Sequence, residues 1–254
     1  MKKSAKRVLI SVIRWYKRLR IRLAWRRATP VSATWRKDCD SLDSMYDFRD
    51  ESSSDVRSLL KHDRAWRRSH FSNKFRLPVG GIDKLSYQVD RIDQGFRFQA
   101  GNDGEHWIYL LSKDDMPDSY AIEFEYVPHS VFREQLQICF CARSLCDRHR
   151  FILKFNRQIY YQVVKNGFFL PKLDFKNLSL ELHRATVVRF EKCRDTFSIS
   201  FDGKVALCEK CLALPAARSR SMLLFWNRAD GDVDCQEIDF ELRNFRFYRK
   251  ADES

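Results

Sequence analysis

Glycine and proline are scarce, with 8 and 6 residues in 254. This excludes a collagen-like or broadly disordered chain. Long hydrophobic runs are also missing. The longest near the start is Val8-Leu9-Ile10, with Val12 and Ile13 after Ser11, and Arg14 ends it. A bilayer-spanning helix needs about 18 apolar residues, so this stretch does not span. The bases from Arg14 to Arg22 break the pattern of a secretory signal peptide. There is no Gly-rich phosphate loop, no HExxH string and no Ser-His-Asp arrangement. Acidic residues are absent from positions 1–27, which hold eleven Lys and Arg. Subtracting those eleven from the net charge of +13 leaves +2 for the rest. The basicity therefore belongs to one segment. It does not form the stripe on a folded domain that would mark a nucleic-acid binder, and nucleic acid is not an expected partner.

Phenylalanine is abundant, at 20 residues, and a chain of this length can bury a sizeable core. Eight cysteines are present: Cys39, Cys139, Cys141, Cys146, Cys193, Cys208, Cys211 and Cys235. With a core of that size and no secretory pattern, reduced thiols in a cytoplasmic setting are the expectation.

Residues 1–27 read as a basic amphipathic helix. Leu9, Val12, Ile13, Tyr16, Leu19 and Leu23 recur on one stripe, flanked or opposed by Arg7, Arg14, Lys17, Arg18 and Arg22. Trp15 and Trp25 suit a water–lipid boundary. Such a helix fits an anionic membrane surface, where each base contributes about 1 kcal/mol. The expected location is the cytoplasmic face of a membrane, peripherally bound. An organelle transit peptide, an RNA-binding arm and a solvated basic tail are the competing readings.

Residues 28–75 read as an acidic, polar linker. Asp38, Asp40, Asp43, Asp47, Asp50 and Glu51 dominate its first half, with a strand or turn around Leu42–Phe48. A short helix is expected over 54–67.

The third region, 76–254, has period two. In 120–127, Ala121, Glu123 and Glu125 share one face, and Ile122, Phe124 and Tyr126 the other. In 135–142, Leu136, Ile138 and Phe140 oppose Cys139 and Cys141. Several short strands at regular spacing predict an all-β antiparallel sandwich or barrel. Asp202-Gly203 and Asn166-Gly167 predict hairpin turns. A parity change between Leu242 and Phe245 predicts a bulge at Arg243-Asn244.

The strings at 101–111, 118–128, 197–207, 223–227 and 237–249 resemble the concanavalin A-like lectin/glucanase superfamily, over about residues 85–250. The resemblance implies a jelly-roll sandwich whose concave face often holds a glycan. Within it, Glu237-Ile238-Asp239-Phe240-Glu241 looks like the E-I-D-x-E signature of family-sixteen glycoside hydrolases. By that likeness Glu237 would be the nucleophile, Asp239 its helper and Glu241 the acid/base. Only 13 residues follow Glu241, whereas in that family many strands follow the signature. A retaining glycosidase holds its two carboxyls about 5–5.5 Å apart, while i and i+4 on a strand lie about 13 Å apart. A solvated strand face explains the same letters.

A glycan cleft would draw on Trp107, Tyr109 and Trp226 for flat surfaces, with Asn166, Asn227 and Arg228 as polar partners; core or rim positions are the plainer reading of each. Asp230, Asp232 and Asp234 alternate as hard calcium ligands do. Cys235 stands where an EF-hand needs Gly, which leaves a lectin-type calcium site or a polar loop. No other cofactor is expected. Cys208-Glu209-Lys210-Cys211 is a lone CxxC, better read as unligated thiols than as half of a zinc site. The preferred function is a non-catalytic, lectin-like carbohydrate-binding module held at a membrane surface, with polysaccharide assembly as the conjectured setting. A retaining β-glycanase and a protein-interaction scaffold are the alternatives.

Overall fold

The computed structural model describes residues 32–47, 87–101, 105–144, 147–154, 158–165, 168–169, 173–175, 178, 180–211, 219–228 and 237–251. The basic segment 1–27, the helix expected over 54–67, the Asn166-Gly167 turn and Asp230, Asp232 and Asp234 lie outside them. The elements in chain order are β1 (Trp35–Cys39), α1 (Leu42–Met45), β2 (Tyr46–Asp47), β3 (Tyr87–Ile92), β4 (Gly95–Ala100), β5 (Glu105–Ser112), β6 (Ser119–Pro128), β7 (Glu134–Ser144) and β8 (Asp147–Lys154). They continue with β9 (Ile159–Lys165), β10 (Phe168–Phe169), β11 (Leu173–Phe175), β12 (Thr186–Cys193), β13 (Thr196–Phe201), β14 (Lys204–Lys210), β15 (Arg220–Arg228) and β16 (Ile238–Lys250).

The strands form two antiparallel sheets. The first runs β14-β13-β12-β6-β16-β4-β3, with β1 on β16. The second runs β10-β9-β8-β7-β15-β5-β2, with β11 on β9. The chain crosses between sheets repeatedly, so strands adjacent in sequence, such as β15 and β16, sit in different layers. This is the jelly-roll sandwich that the concanavalin A-like resemblance implied.

Alternation builds the core. Ile122, Phe124 and Tyr126 of β6 and Ile238, Phe240 and Leu242 of β16 meet Leu136, Ile138, Leu223 and Phe225 of the facing sheet. Phe225 and Phe240 stack across the two layers, with ring centroids 3.8 Å apart. The Tyr126 hydroxyl donates to the Gln135 carbonyl at 3.0 Å, which ties β6 to the start of β7. Gly95 is required where β4 meets β16, because a Cβ there would lie 1.9 Å from the Leu242 carbonyl oxygen.

The Asp202-Gly203 turn and the expected bulge are both present. Asp202 and Gly203 both have positive φ, 47° and 75°, which matches the twist of the hairpin they close. Asn244 has φ 50°, and the β16–β6 register shifts between Arg243 and Arg246, so the bulge lies where parity changed.

Two differences stand out. Residues 35–47 are no linker: β1 pairs with the far end of β16, β2 pairs with β5, and Leu42 and Tyr46 are core residues. The sandwich therefore draws on residues well before position 76. Cys141 also departs from the expected face. With φ 50° and a register break between Phe140 and Ser144, it turns inward and joins the core opposite to Cys139's side.

Candidate functional site

The acid string at 237–241 lies on the outer face of the first sheet. Glu237 precedes β16 and is exposed, while Asp239 and Glu241 alternate with the core residues Ile238, Phe240 and Leu242. Both strand acids carry cationic partners. Arg97 donates from Nε and Nη2 to the two Asp239 carboxylate oxygens at 2.9 and 2.7 Å, and the Gln99 amide adds 3.1 Å to Oδ2. Burial alone would raise the Asp239 carboxyl, but Arg97 and Gln99 hold it below the usual carboxylate range. Glu241 shares one oxygen with His129 at 2.8 Å and the other with Arg243.

The same pattern covers the rest of this face. Glu123 accepts from Arg189 at 2.8 Å and Arg246 at 3.1 Å, and Arg189 reaches Glu191 at 2.7 Å. Burial pushes the Glu123 carboxyl up, and the two guanidiniums more than offset it. These acids form part of an ion-pair lattice that joins β4, β16, β6 and β12.

The aromatic candidates sit on the outer face of the other sheet. Leu223 and Phe225 point into the core, so Leu224 and Trp226 point away from it. Trp226 is the register partner of Trp107, and Leu224 that of Tyr109. The row through Leu224 continues to Gln137 on β7, Ile152 on β8 and Tyr160 on β9. The acids and the aromatic row thus face away from each other across both layers. They do not line one cleft, which is what a glycanase built on Glu237, Glu241 and Trp226 requires.

Trp226 is buried, and the Arg133 guanidinium lies 5.3 Å from its ring centroid. Asn227 takes the opposite parity and is buried, and its Oδ1 accepts from the Arg133 backbone N–H at 3.3 Å. It therefore positions the loop that carries Arg133. Arg228 ends β15 opposite Glu105. Trp107 is placed here by register only, and Asn166 lies outside the described residues.

Polar groups missed by the sequence reading complete this face. Arg150 donates from Nε to the Gln162 side-chain Oε1 at 2.9 Å and from Nη1 to Gln137 Oε1 at 3.2 Å. Gln137 in turn donates to Glu134. Burial pulls the Arg150 guanidinium down to about 10, with Glu134 opposing and Arg148 adding to the shift, so Arg150 stays charged at neutral pH. Tyr160 donates to Gln158 and lies under Lys154, 5.3 Å from the ring centroid. Gln137, Gln162 and Trp226 are buried, whereas Tyr109, Arg133, Arg150, Lys154, Gln158 and Tyr160 are half-buried. The available signal was the alternation of Gln135 and Gln137 with Leu136 and Ile138, which puts amides on the outward face of an interior strand.

Among the described residues, no group of three or more His, Cys, Asp or Glu side chains is gathered to hold one metal ion. The cysteines at 39, 139, 141, 193, 208 and 211 are free thiols. Cys208 and Cys211 are both among these free thiols, and Cys211 packs against the core cluster that contains Cys141. Among the same residues, no helix is long and apolar enough to cross a membrane.

No protein-family model matches the chain, and no curated protein matches it. Solved structures do. The sandwich is similar to the exoplasmic/lumenal domain of VIP36 in its Ca2+/Man3GlcNAc-bound form, at 10% identity and TM-score 0.49, over 66% of this chain and 84% of that one. It is similar to a Bacillus licheniformis beta-glucanase at 12% identity and TM-score 0.44, over 65% and 92%. It is also similar to the carbohydrate-binding module CBM66 of Bacillus subtilis, at 9% identity and TM-score 0.45, over 63% and 94%.

Proposed function

We propose that this chain is a non-catalytic carbohydrate-binding protein and that the outer face of the second sheet is its glycan surface. One observation carries the reading: Tyr109 and Tyr160 flank a row into which Gln137, Gln162 and Arg150 project planar hydrogen-bonding groups. A sugar ring presents an apolar face and a rim of hydroxyls. Flat aromatic rings meet the first, and amides and guanidiniums, which donate or accept in fixed directions, meet the second. The half-buried set of Tyr109, Arg133, Arg150, Lys154, Gln158 and Tyr160 is where a ligand makes contact.

The absence of chemistry in this reading rests on where the acids lie. Asp239 and Glu241 lie on the first sheet, away from this surface, and pair there with Arg97 and Arg243, whereas a glycosidase needs one carboxyl kept protonated beside the scissile bond. The segment 1–27 completes the proposal. Its eleven bases and its Trp15 and Trp25 would hold the protein on an anionic leaflet, at the cytoplasmic side. Calcium at Asp230, Asp232 and Asp234 would accompany glycan binding only if those carboxylates converge.

The test is retention of the full-length protein on immobilised glycans, beside the Tyr109→Ala/Tyr160→Ala variant. Truncated aromatic anchors at a binding surface cost more than about 1 kcal/mol each. The double variant is therefore expected to bind at least about tenfold more weakly while it unfolds at a similar temperature. Unchanged retention in the variant, or no retention of the folded protein on any glycan, overturns the proposal. Co-sedimentation with phosphatidylserine vesicles, lost at high salt, tests the membrane half separately.

A further inference from the structure

The two outer faces of the sandwich handle charge differently. On the first sheet arginines grip carboxylates: Arg97 holds Asp239, Arg189 holds Glu123 and Glu191, Arg243 holds Glu241, and Arg246 holds Glu123. The second sheet sets its basic side chains among rings and amides. Phe151 and Leu153 of β8 point into the core, so Arg148, Arg150 and Lys154 point outward. Lys154 Nζ lies 5.3 Å from the Tyr160 ring centroid, and the Arg133 guanidinium lies 5.3 Å from that of Trp226. Arg150 donates to the neutral amide oxygens of Gln162 and Gln137. Among the described side chains of this face, these four cations meet one acid, Glu134, which accepts from Gln137. Four cations less one acid leave a local charge of +3. We propose that this face selects an acidic glycan, a chain whose sugars carry carboxylate or sulfate groups. The inference rests on the glycan reading above and names its ligand class.

The placement of the cations favours a chain over a single small anion. Arg150 and Lys154 stand four positions apart on one strand, about 13 Å by strand rise. The charges are therefore strung along the face, and a polymer that repeats its acid groups meets them in turn. Ring and cation also stand side by side. A sugar stacked on the half-buried Tyr160 brings its acid group next to Lys154 Nζ.

Arg150 is prepared for the same task. Gln162 and Gln137 fix its plane through acceptors that leave its charge in place. A fixed guanidinium presents a fork that matches carboxylate and sulfate oxygens. Partial burial strengthens each attraction, because the surroundings screen charge less than water does. A neutral glycan would use the rings and amides and gain nothing from the local charge.

Residues 1–27 carry eleven bases of their own, so anion binding there has to be told apart from binding on the sheet. The experiment is calorimetric titration of the full-length protein with two matched pairs: trigalacturonate beside its methyl ester, and sulfated maltotriose beside maltotriose. The acidic member of at least one pair should bind at least about tenfold more tightly, as charge-assisted hydrogen bonds require, and the advantage should shrink with added salt. The pair that responds tells carboxylate from sulfate. Lys154→Gln and Arg150→Gln should each remove about three- to tenfold of that advantage and change binding of the neutral member less than about twofold. Lys154 is half-exposed, so Lys154→Gln should unfold like the parent and decides the question if Arg150→Gln does not fold. An acidic preference that persists unchanged in Lys154→Gln belongs to residues 1–27 and overturns the inference. Equal affinity for both members of each pair overturns it too, and leaves the glycan surface standing. Binding of none of the four also overturns it; retention on an immobilised neutral glycan would then show that the glycan reading survives, and loss of that retention that both fail.

Discussion

Replacing Asp239 by Asn asks whether the acid string on β16 serves the sheet or a ligand. Asn keeps the size of the side chain and removes its charge together with one acceptor. The bonds at stake are the two from Arg97 and the one from Gln99. Hydrogen bonds to a charged group contribute about 1.5–3 kcal/mol. The Arg97 side chain is 38% exposed, so water screens the pair and replaces part of what is lost. The net loss should be about 1–2 kcal/mol, or about 2–8 °C in unfolding temperature for a domain of this size. The effect must depend on pH in one direction. The folded carboxyl lies below its ordinary value, so its contribution is complete above the unfolded value near about pH 4. It disappears as pH falls through the lower folded value. Thermal unfolding of parent and variant by circular dichroism at pH 7, 5, 4 and 3 reads this gap, which should close at the acid end. Glycan retention at pH 7 should be unchanged. An Asn variant with the parental unfolding temperature but no glycan retention would refute the lattice argument and return the acids to the ligand.

Further outcomes follow from other contacts. His149 is buried, and burial together with Lys192 pulls its imidazole down to about 3. Its folded value lies below the unfolded one, so stability should be complete above about pH 6.5 and fall with acid, by up to about 1.4 kcal/mol per pH unit; His149→Gln should flatten that slope in urea unfolding between pH 6.5 and 4. Gly95→Ala places a Cβ against the Leu242 carbonyl of the paired strand and should cost at least about 1–3 kcal/mol, read as a lower urea midpoint. Phe225→Ala empties the inter-sheet stack with Phe240 and should cost about 3–5 kcal/mol by the same measure. Deleting residues 1–47 takes Leu42, Tyr46 and two strands out of the sandwich, so it should lower the unfolding temperature far more than deleting 1–31 does.

Much of the fold was legible because its signals are local. Inward and outward residues of β6 follow from period two within one strand. Asp202-Gly203 and Asn244 announce positive φ through residue types that tolerate it. Of the segment 35–47 only a strand or turn around Leu42–Phe48 was legible, and its place in the sandwich was not, because β1 and β2 are short edge pieces. Their strandedness comes from Lys250, Arg249 and Tyr248, more than 200 residues away, and from β5. The aromatic set was read as candidate ligand surfaces, and register does put Trp107 beside Trp226. That Arg133 covers Trp226 depends on a loop fixed by Asn227, which no pattern within β15 reveals. His129 and His183 stand 54 positions apart, and only the meeting of β6 with β12 brings them together.

By itself the sequence determined where most strands of the sandwich lie, which side of β6 and β16 is apolar, where the Asp202-Gly203 hairpin and the β16 bulge fall, and that the basic charge is gathered in residues 1–27. Side-chain alternation, turn chemistry and composition act over a few residues, so a linear reading captures them. Only the tertiary structure decided that β15 and β16, neighbours in the chain, enter different sheets. That choice turns Tyr109 and Trp226 to one side of the molecule and Asp239 and Glu241 to the other. Its physical reason is long-range pairing. The carbonyls and amides of β16 are satisfied by β4 and β6, and those of β15 by β5 and β7. Period two tells a strand which face to bury but not which sheet to join.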